Sequence, residues 1–150
     1  MSENVFKQNE LKNNLLLVIL YVAYIFSIIG VPFFSFLIYK LLYYFGTATY
    51  GFVSKNPLKS YLAGFFLYPA GEIANILSYY YVYDFVPTWS GSYFIRLFVL
   101  SVLFGFPGYL MAQPTENKTR FFICVLLAFV FIAALWFLTP FDVVYEIASP

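Results

Sequence analysis

Charged residues divide the chain into long apolar stretches separated by short polar ones. Residues 13–39 contain no Asp, Glu, Lys or Arg, and Lys12 and Lys40 bound this run. A helix that crosses a bilayer needs about 20 predominantly apolar residues. The run therefore predicts a spanning helix at about 14–39. We expect a kink at Pro32, because a proline ring removes one hydrogen bond of the helix.

Three further apolar stretches follow, and turn-forming or polar residues separate them. They predict spanning helices at about 58–83, 93–112 and 121–138. Asn56-Pro57 is a helix start, since asparagine caps the first turn and proline is tolerated at the first helical position. The fold class that follows is all-α, a polytopic membrane protein built as a four-helix transmembrane bundle. Proline kinks are expected at Pro32, Pro69 and Pro107.

The segment 41–54 is uncharged but too short to cross a bilayer. Its aromatic residues and its glycines, Gly46 and Gly51, are compatible with an interfacial segment or with an extension of the first helix. Residues 1–150 are then a single transmembrane domain.

Composition supports a membrane location. The chain is 63% hydrophobic and only 10% charged, and its mean hydropathy is +0.82. Soluble domains are about 45–50% apolar and about 25% charged. A soluble chain of 150 residues would not bury so much apolar surface, because small domains bury a smaller share of what they carry. We expect a multi-pass protein of a bacterial inner membrane or an organelle membrane.

With four spans both termini lie on one side, and the lysines and arginines can be compared between the two sides. The loop regions 40–60 and 113–120 carry Lys40, Lys55, Lys59, Lys118 and Arg120, against Lys7, Lys12 and Arg96 on the side of the termini. This bias predicts that the loops are cytoplasmic and that both termini lie on the opposite side.

The residue types that are missing exclude several kinds of site. The chain has no histidine and one cysteine, Cys124. This removes histidine-ligated metal or haem and any intrachain disulfide or Cys-x-x-Cys pair. We therefore predict no cofactor, no metal and no enzymatic activity. An enzyme that acts on lipid ranks third, after the two functions described below. A net charge of +1 without a basic patch gives no reason to expect nucleic acid as a partner.

Glu72 is the candidate intramembrane polar site, since it lies near the middle of the second predicted span. A charged side chain there costs about 2.5–3.5 kcal/mol on insertion scales. Helical spacing places Tyr68, Asn75 and Tyr79 on the same face. Arg96, in the first turn of the third predicted span, is the cation that we expect to pair with Glu72.

Two functions remain open at this stage. The first is a non-enzymatic subunit or accessory protein that contacts other membrane proteins, or itself, through helix faces. The 20 Phe and 15 Tyr favour it, because aromatic residues dominate interfaces. The second is a small homo-oligomeric channel or proton-coupled transporter with Glu72 as its ionisable centre. The lipid bilayer is a partner in both.

Overall fold

The computed structural model describes residues 2–28, 33–83, 91–114 and 116–138, which form five α-helices. The helices are α1 (Ser2–Ile28), α2 (Phe33–Ser54), α3 (Pro57–Tyr83), α4 (Gly91–Ala112) and α5 (Asn117–Leu138). The all-α class is confirmed. The count of four helices is not confirmed, since the described residues contain five. The predicted spans at 58–83, 93–112 and 121–138 correspond in position to α3, α4 and α5.

The fifth helix comes from the stretch predicted as a single span at 14–39. In the structure this stretch belongs to two helices, α1 and α2, and residues 41–54 continue α2 to its end at Ser54. The predicted kink at Pro32 lies outside the described residues. A proline disfavours helical geometry in the residue before it as well as removing a hydrogen bond. Pro32 is therefore as compatible with a helix boundary as with a kink.

Consecutive helices run antiparallel. Across α1 and α2 the rings of Tyr24 and Tyr43 lie 4.7 Å apart between centroids. The hydroxyls of Ser54 and Ser60 lie 2.6 Å apart where α2 ends and α3 begins. Contacts of Gly64 with Phe104 and of Phe104 with Phe131 bring α4 back along α3, and α5 back along α4.

This order defines two ends of the bundle. We define the N-terminal end of the bundle as the end at which α1, α3 and α5 begin and α2 and α4 finish. Lys59 Nζ donates a hydrogen bond to Asn14 Oδ1 at 2.6 Å, so the first three turns of α1 continue past the start of α3. The predicted placement of both chain termini on one side depends on four spans and stays a prediction.

The predicted start of the helix after Asn56 is confirmed. The backbone N–H of Lys59 donates to Asn56 Oδ1 at 3.0 Å, the geometry of an N-cap, and α3 begins at Pro57. Pro69 and Pro107 lie inside α3 and α4, which continue through them. The kinks expected at these two positions stay predictions.

Glycines allow α2, α3 and α4 to approach closely. A Cβ at Gly64 would lie 2.5 Å from the carbonyl oxygen of Phe104, and one at Gly108 would lie 2.6 Å from that of Ser60. Gly51 of α2 faces the backbone of Gly108 in the same way. Small residues at such crossings bring two helix backbones into contact, as in helix pairs within membranes. A Cβ at Gly105 would likewise lie 2.8 Å from the carbonyl oxygen of Tyr61, so Gly105 and Gly108 both serve packing.

Within the described residues, three stretches are long and apolar enough to cross a membrane. They are Gln8–Ser27, Gly91–Ala112 and Asn117–Leu138. Large apolar side chains also cover the outer surface of the bundle, for example Phe26 at 71% exposed and Trp136 at 76%. Exposed apolar surface of this kind is stable in lipid and not in water. These features indicate a membrane protein.

Candidate functional site

The most unusual feature of the interior is a buried ion pair between Lys40 and Glu72. Lys40 lies on α2 and Glu72 on α3, and the antiparallel packing of these helices brings Lys40 Nζ against Glu72 Oε1. The two side chains are 3% and 8% exposed. Each charge alone is costly inside a membrane, and the pairing of opposite charges is the usual way in which proteins tolerate them there.

Tyr68 completes this site from the next turn of α3. Lys40 Nζ donates a hydrogen bond to the Tyr68 hydroxyl at 3.1 Å and lies 4.6 Å from the centroid of its ring. Tyr68 is itself 1% exposed. The ammonium group therefore has one charged and one neutral acceptor, so its attachment does not depend on Glu72 alone.

The site borders an aromatic core to which every helix contributes one buried ring. These rings are Tyr24, Tyr44, Tyr68, Phe104 and Phe131, in order from α1 to α5. The Phe104 centroid lies 5.4 to 6.1 Å from the other four centroids. Centroid distances of 4.5–7 Å are those of favourable ring pairs. Phe104 of α4 therefore pairs with one buried ring from each of the other four helices.

The core also contains polar groups without partners. Within the described residues, the buried hydroxyls of Tyr24, Tyr44 and Tyr50 have no hydrogen-bond partner. The Tyr24 hydroxyl interacts electrostatically with Glu72, and so does that of Tyr68. A buried hydroxyl that has lost its hydration and has no hydrogen-bond partner is unfavourable. These three hydroxyl groups therefore lower the stability of the fold.

The structure brings together some of the predicted site residues. Glu72 and Tyr68 lie in the site, and Asn75 is half-buried one turn further along α3. Arg96 is half-buried and interacts electrostatically with Lys40 and Tyr68. Its guanidinium carbon lies 4.8 Å from the centroid of the Tyr93 ring. The side chain of Tyr79 lies outside the described residues.

The structure pairs Glu72 with Lys40, which the sequence analysis places in a loop region. Lys40 was overlooked because it bounds the charge-free run that predicted the first span. In the structure it lies eight residues into α2, with seven residues of that helix before it and 14 after it. A helix start near Phe33 is the signal that would have placed Lys40 inside the bundle.

The described part of the chain offers no evident metal centre. None of its groups of three or more Asp, Glu, Cys or His side chains could hold a metal ion. Cys124 is buried, and its thiol lies 3.9 Å from the carbonyl oxygen of Pro107. The buried polar chemistry of the described residues includes an ion pair, a guanidinium group, a thiol and hydroxyl groups among aromatic rings.

Comparisons with known proteins place the chain in no established group. No protein-family model, no characterised protein and no solved structure matches it.

Proposed function

We propose that the chain is a non-enzymatic subunit or accessory protein of a membrane complex, acting through the outer faces of its helices. The observation that carries this proposal is a seam on α5. Phe122, Phe129 and Trp136 recur every seven residues on this helix and are 62%, 65% and 76% exposed. Leu126 and Ala133, both exposed, fill the intermediate positions.

This alternation of four and three residues is the pattern by which one helix packs along another. Aromatic side chains, and tryptophan above all, are enriched among the residues that dominate interfaces. The interior fits the same proposal, because Lys40 neutralises Glu72 within the chain. Glu72 then needs no partner subunit or transported ion to balance its charge.

The test is extraction in a gentle detergent followed by mass spectrometry of co-purifying proteins. We expect a fixed partner, or a defined oligomer of the chain itself, and loss of that complex in Phe129→Ala/Trp136→Ala. Phe98→Ala is the matched control, since Phe98 is an equally apolar side chain of α4 that is 61% exposed. Purification as a lone monomer, or equal loss in both variants, contradicts the proposal.

The proposal includes five spans. Each helix has at least 22 residues, a length of about 33 Å at about 1.5 Å per residue, against about 30 Å for the bilayer core. At the N-terminal end lie six of the eight cations: Lys7, Lys12, Lys55, Lys59, Lys118 and Arg120. The segments 29–32, 84–90 and 139–150 contain no Lys or Arg.

Six cations against one, Arg96 near the start of α4, favour a cytoplasmic N-terminal end, with the C-terminus on the opposite side. Labelling single cysteines in intact cells tests this orientation. In a Cys124→Ser background, Ser149→Cys should react with a membrane-impermeant maleimide and Ser2→Cys should not. Equal labelling of the two would leave an even number of spans.

A second function, a small homo-oligomeric channel or proton-coupled transporter with Glu72 as its ionisable centre, is favoured by the burial of Lys40 and Glu72 in the bundle. Intramembrane ionisable residues often mark ion pathways. Reconstituted vesicles under a pH gradient separate the two functions. Transport predicts a flux that Glu72→Gln abolishes while the protein stays folded, whereas the subunit proposal predicts no flux above that of empty vesicles.

A further inference from the structure

Arg120 is a second buried cation and lies in the first turn of α5, at the N-terminal end of the bundle. The residue is 6% exposed. Its Nη1 donates to the carbonyl oxygen of Met111 at 2.8 Å and to that of Gln113. Its Nη2 donates to Asn117 Oδ1. These bonds fasten the start of α5 to the end of α4.

All three acceptors are neutral, so they leave the charge of Arg120 unbalanced. In the part of the chain that the structure describes, no carboxylate forms an ion pair with Arg120, and its Nε has no hydrogen-bond partner. A guanidinium carries five N–H donors, so Nε–H and one N–H of Nη2 remain. A buried charge without a counter-charge is strongly unfavourable. This feature therefore points to an anion that the described residues do not supply.

A groove between α3 and α4 shares one residue, Gln113, with the surroundings of this cation. Its volume is about 610 Å³, and it is lined by Asn56, Pro57, Leu58, Tyr61, Phe106, Tyr109 and Gln113. Gln113 connects the two features, since it lines the groove while its carbonyl oxygen accepts the bond from Arg120. The walls are apolar and aromatic, and amide groups lie only where the helices begin and end. An amphipathic molecule matches this division.

We propose that Arg120 and this groove bind one anionic phospholipid, with its phosphate at the guanidinium and an acyl chain along Leu58 and Tyr61. Arginine recognises phosphate through paired N–H donors. Basic pockets between transmembrane helices are known sites for anionic head groups. This inference does not rest on the proposed role as a complex subunit.

The test titrates the full-length protein, in a neutral detergent, with phosphatidylglycerol or phosphatidylcholine and follows bound lipid by native mass spectrometry. We expect about tenfold tighter binding of phosphatidylglycerol, the factor that about 1.4 kcal/mol produces. Arg120→Gln, which keeps an amide donor for the carbonyl oxygens, should remove this preference. Leu58→Trp, which fills the groove, should weaken binding of both lipids about tenfold. Lys12→Gln removes a cation of α1 outside the groove and should change neither.

Equal binding of the two lipids by the wild-type protein overturns the proposal, as does unchanged binding in Leu58→Trp. Leu58 is 67% exposed, so this variant keeps the test decisive even where Arg120→Gln does not fold. Inorganic phosphate, added as a competitor, should displace little phosphatidylglycerol because it lacks the acyl chain. Complete displacement would instead make this a site for free phosphate and would refute the lipid assignment.

Discussion

Glu72→Gln should destabilise the bundle by leaving the ammonium group of Lys40 buried without its counter-charge. Lys40 is 3% exposed, and the hydroxyl of Tyr68, which accepts a hydrogen bond from it at 3.1 Å, carries no charge. Removal of one partner of a buried ion pair costs about 3–5 kcal/mol. The single hydrogen bond to Tyr68 recovers only part of this loss, so we expect a decrease of about 3 kcal/mol in the free energy of unfolding.

Lys40→Met should have a similar effect, since it leaves the carboxylate of Glu72 without its cation. The double variant Lys40→Met/Glu72→Leu should recover the stability of the wild-type protein or exceed it. Apolar replacement of a whole buried pair is often neutral, or stabilising by about 1–4 kcal/mol. Either charged residue alone then lowers the free energy of unfolding, whereas the loss of both charges together does not.

The measurement is reversible unfolding in mixed micelles with increasing dodecyl sulfate, followed by far-ultraviolet circular dichroism. Lys59→Met serves as control, because the amine of Lys59 bonds Asn14 at an exposed position and an exposed polar contact of this kind contributes at most about 1 kcal/mol. Single variants within about 0.5 kcal/mol of the wild type, or a double variant as unstable as the sum of both, would refute the reasoning.

Three other substitutions, two of them with a matched control, test the packing of the bundle by the same unfolding assay. Gly64→Ala should cost about 1–3 kcal/mol, since its Cβ would lie 2.5 Å from a carbonyl oxygen of α4. Gly91→Ala, with nothing within 4 Å of its Cβ, should change stability by less than about 0.5 kcal/mol. Phe131→Ala should cost about 3–5 kcal/mol because its ring is fully buried, whereas Phe129→Ala, 65% exposed, should cost far less. Tyr44→Phe should leave stability unchanged or raise it, because the hydroxyl that it removes has no partner among the described residues. Equal costs for Phe131→Ala and Phe129→Ala, or a clear loss in Tyr44→Phe, would contradict the packing described above.

Most of the helices could be predicted because their signals are local. The Asn56-Pro57 start lies where the sequence placed it, since a cap needs only a side chain three residues from its donor. The residues of the aromatic core, by contrast, could not be predicted from the sequence. Phe104 is fully buried and Phe106, two residues later, is 36% exposed, although both are phenylalanines of one helix. In a helix that is apolar all round, composition does not mark the inner face, so the choice depends on contacts that arise only when five helices assemble.

The Lys40–Glu72 ion pair could not be predicted because the sequence leaves the boundary between α1 and α2 open. A proline after a glycine within an apolar run is compatible with a kinked helix or with two helices. The kinked alternative places Lys40 at a membrane edge and gives an even number of spans. With two helices, the same lysine lies inside α2 opposite Glu72, and the helix count becomes odd. The cations of the first turns of α1 then lie at the same end as Lys55 and Lys118, which changes a weak charge bias into a strong one. The cost of Glu72 could be calculated from the sequence, but its partner could not be identified until the boundary between α1 and α2 was known.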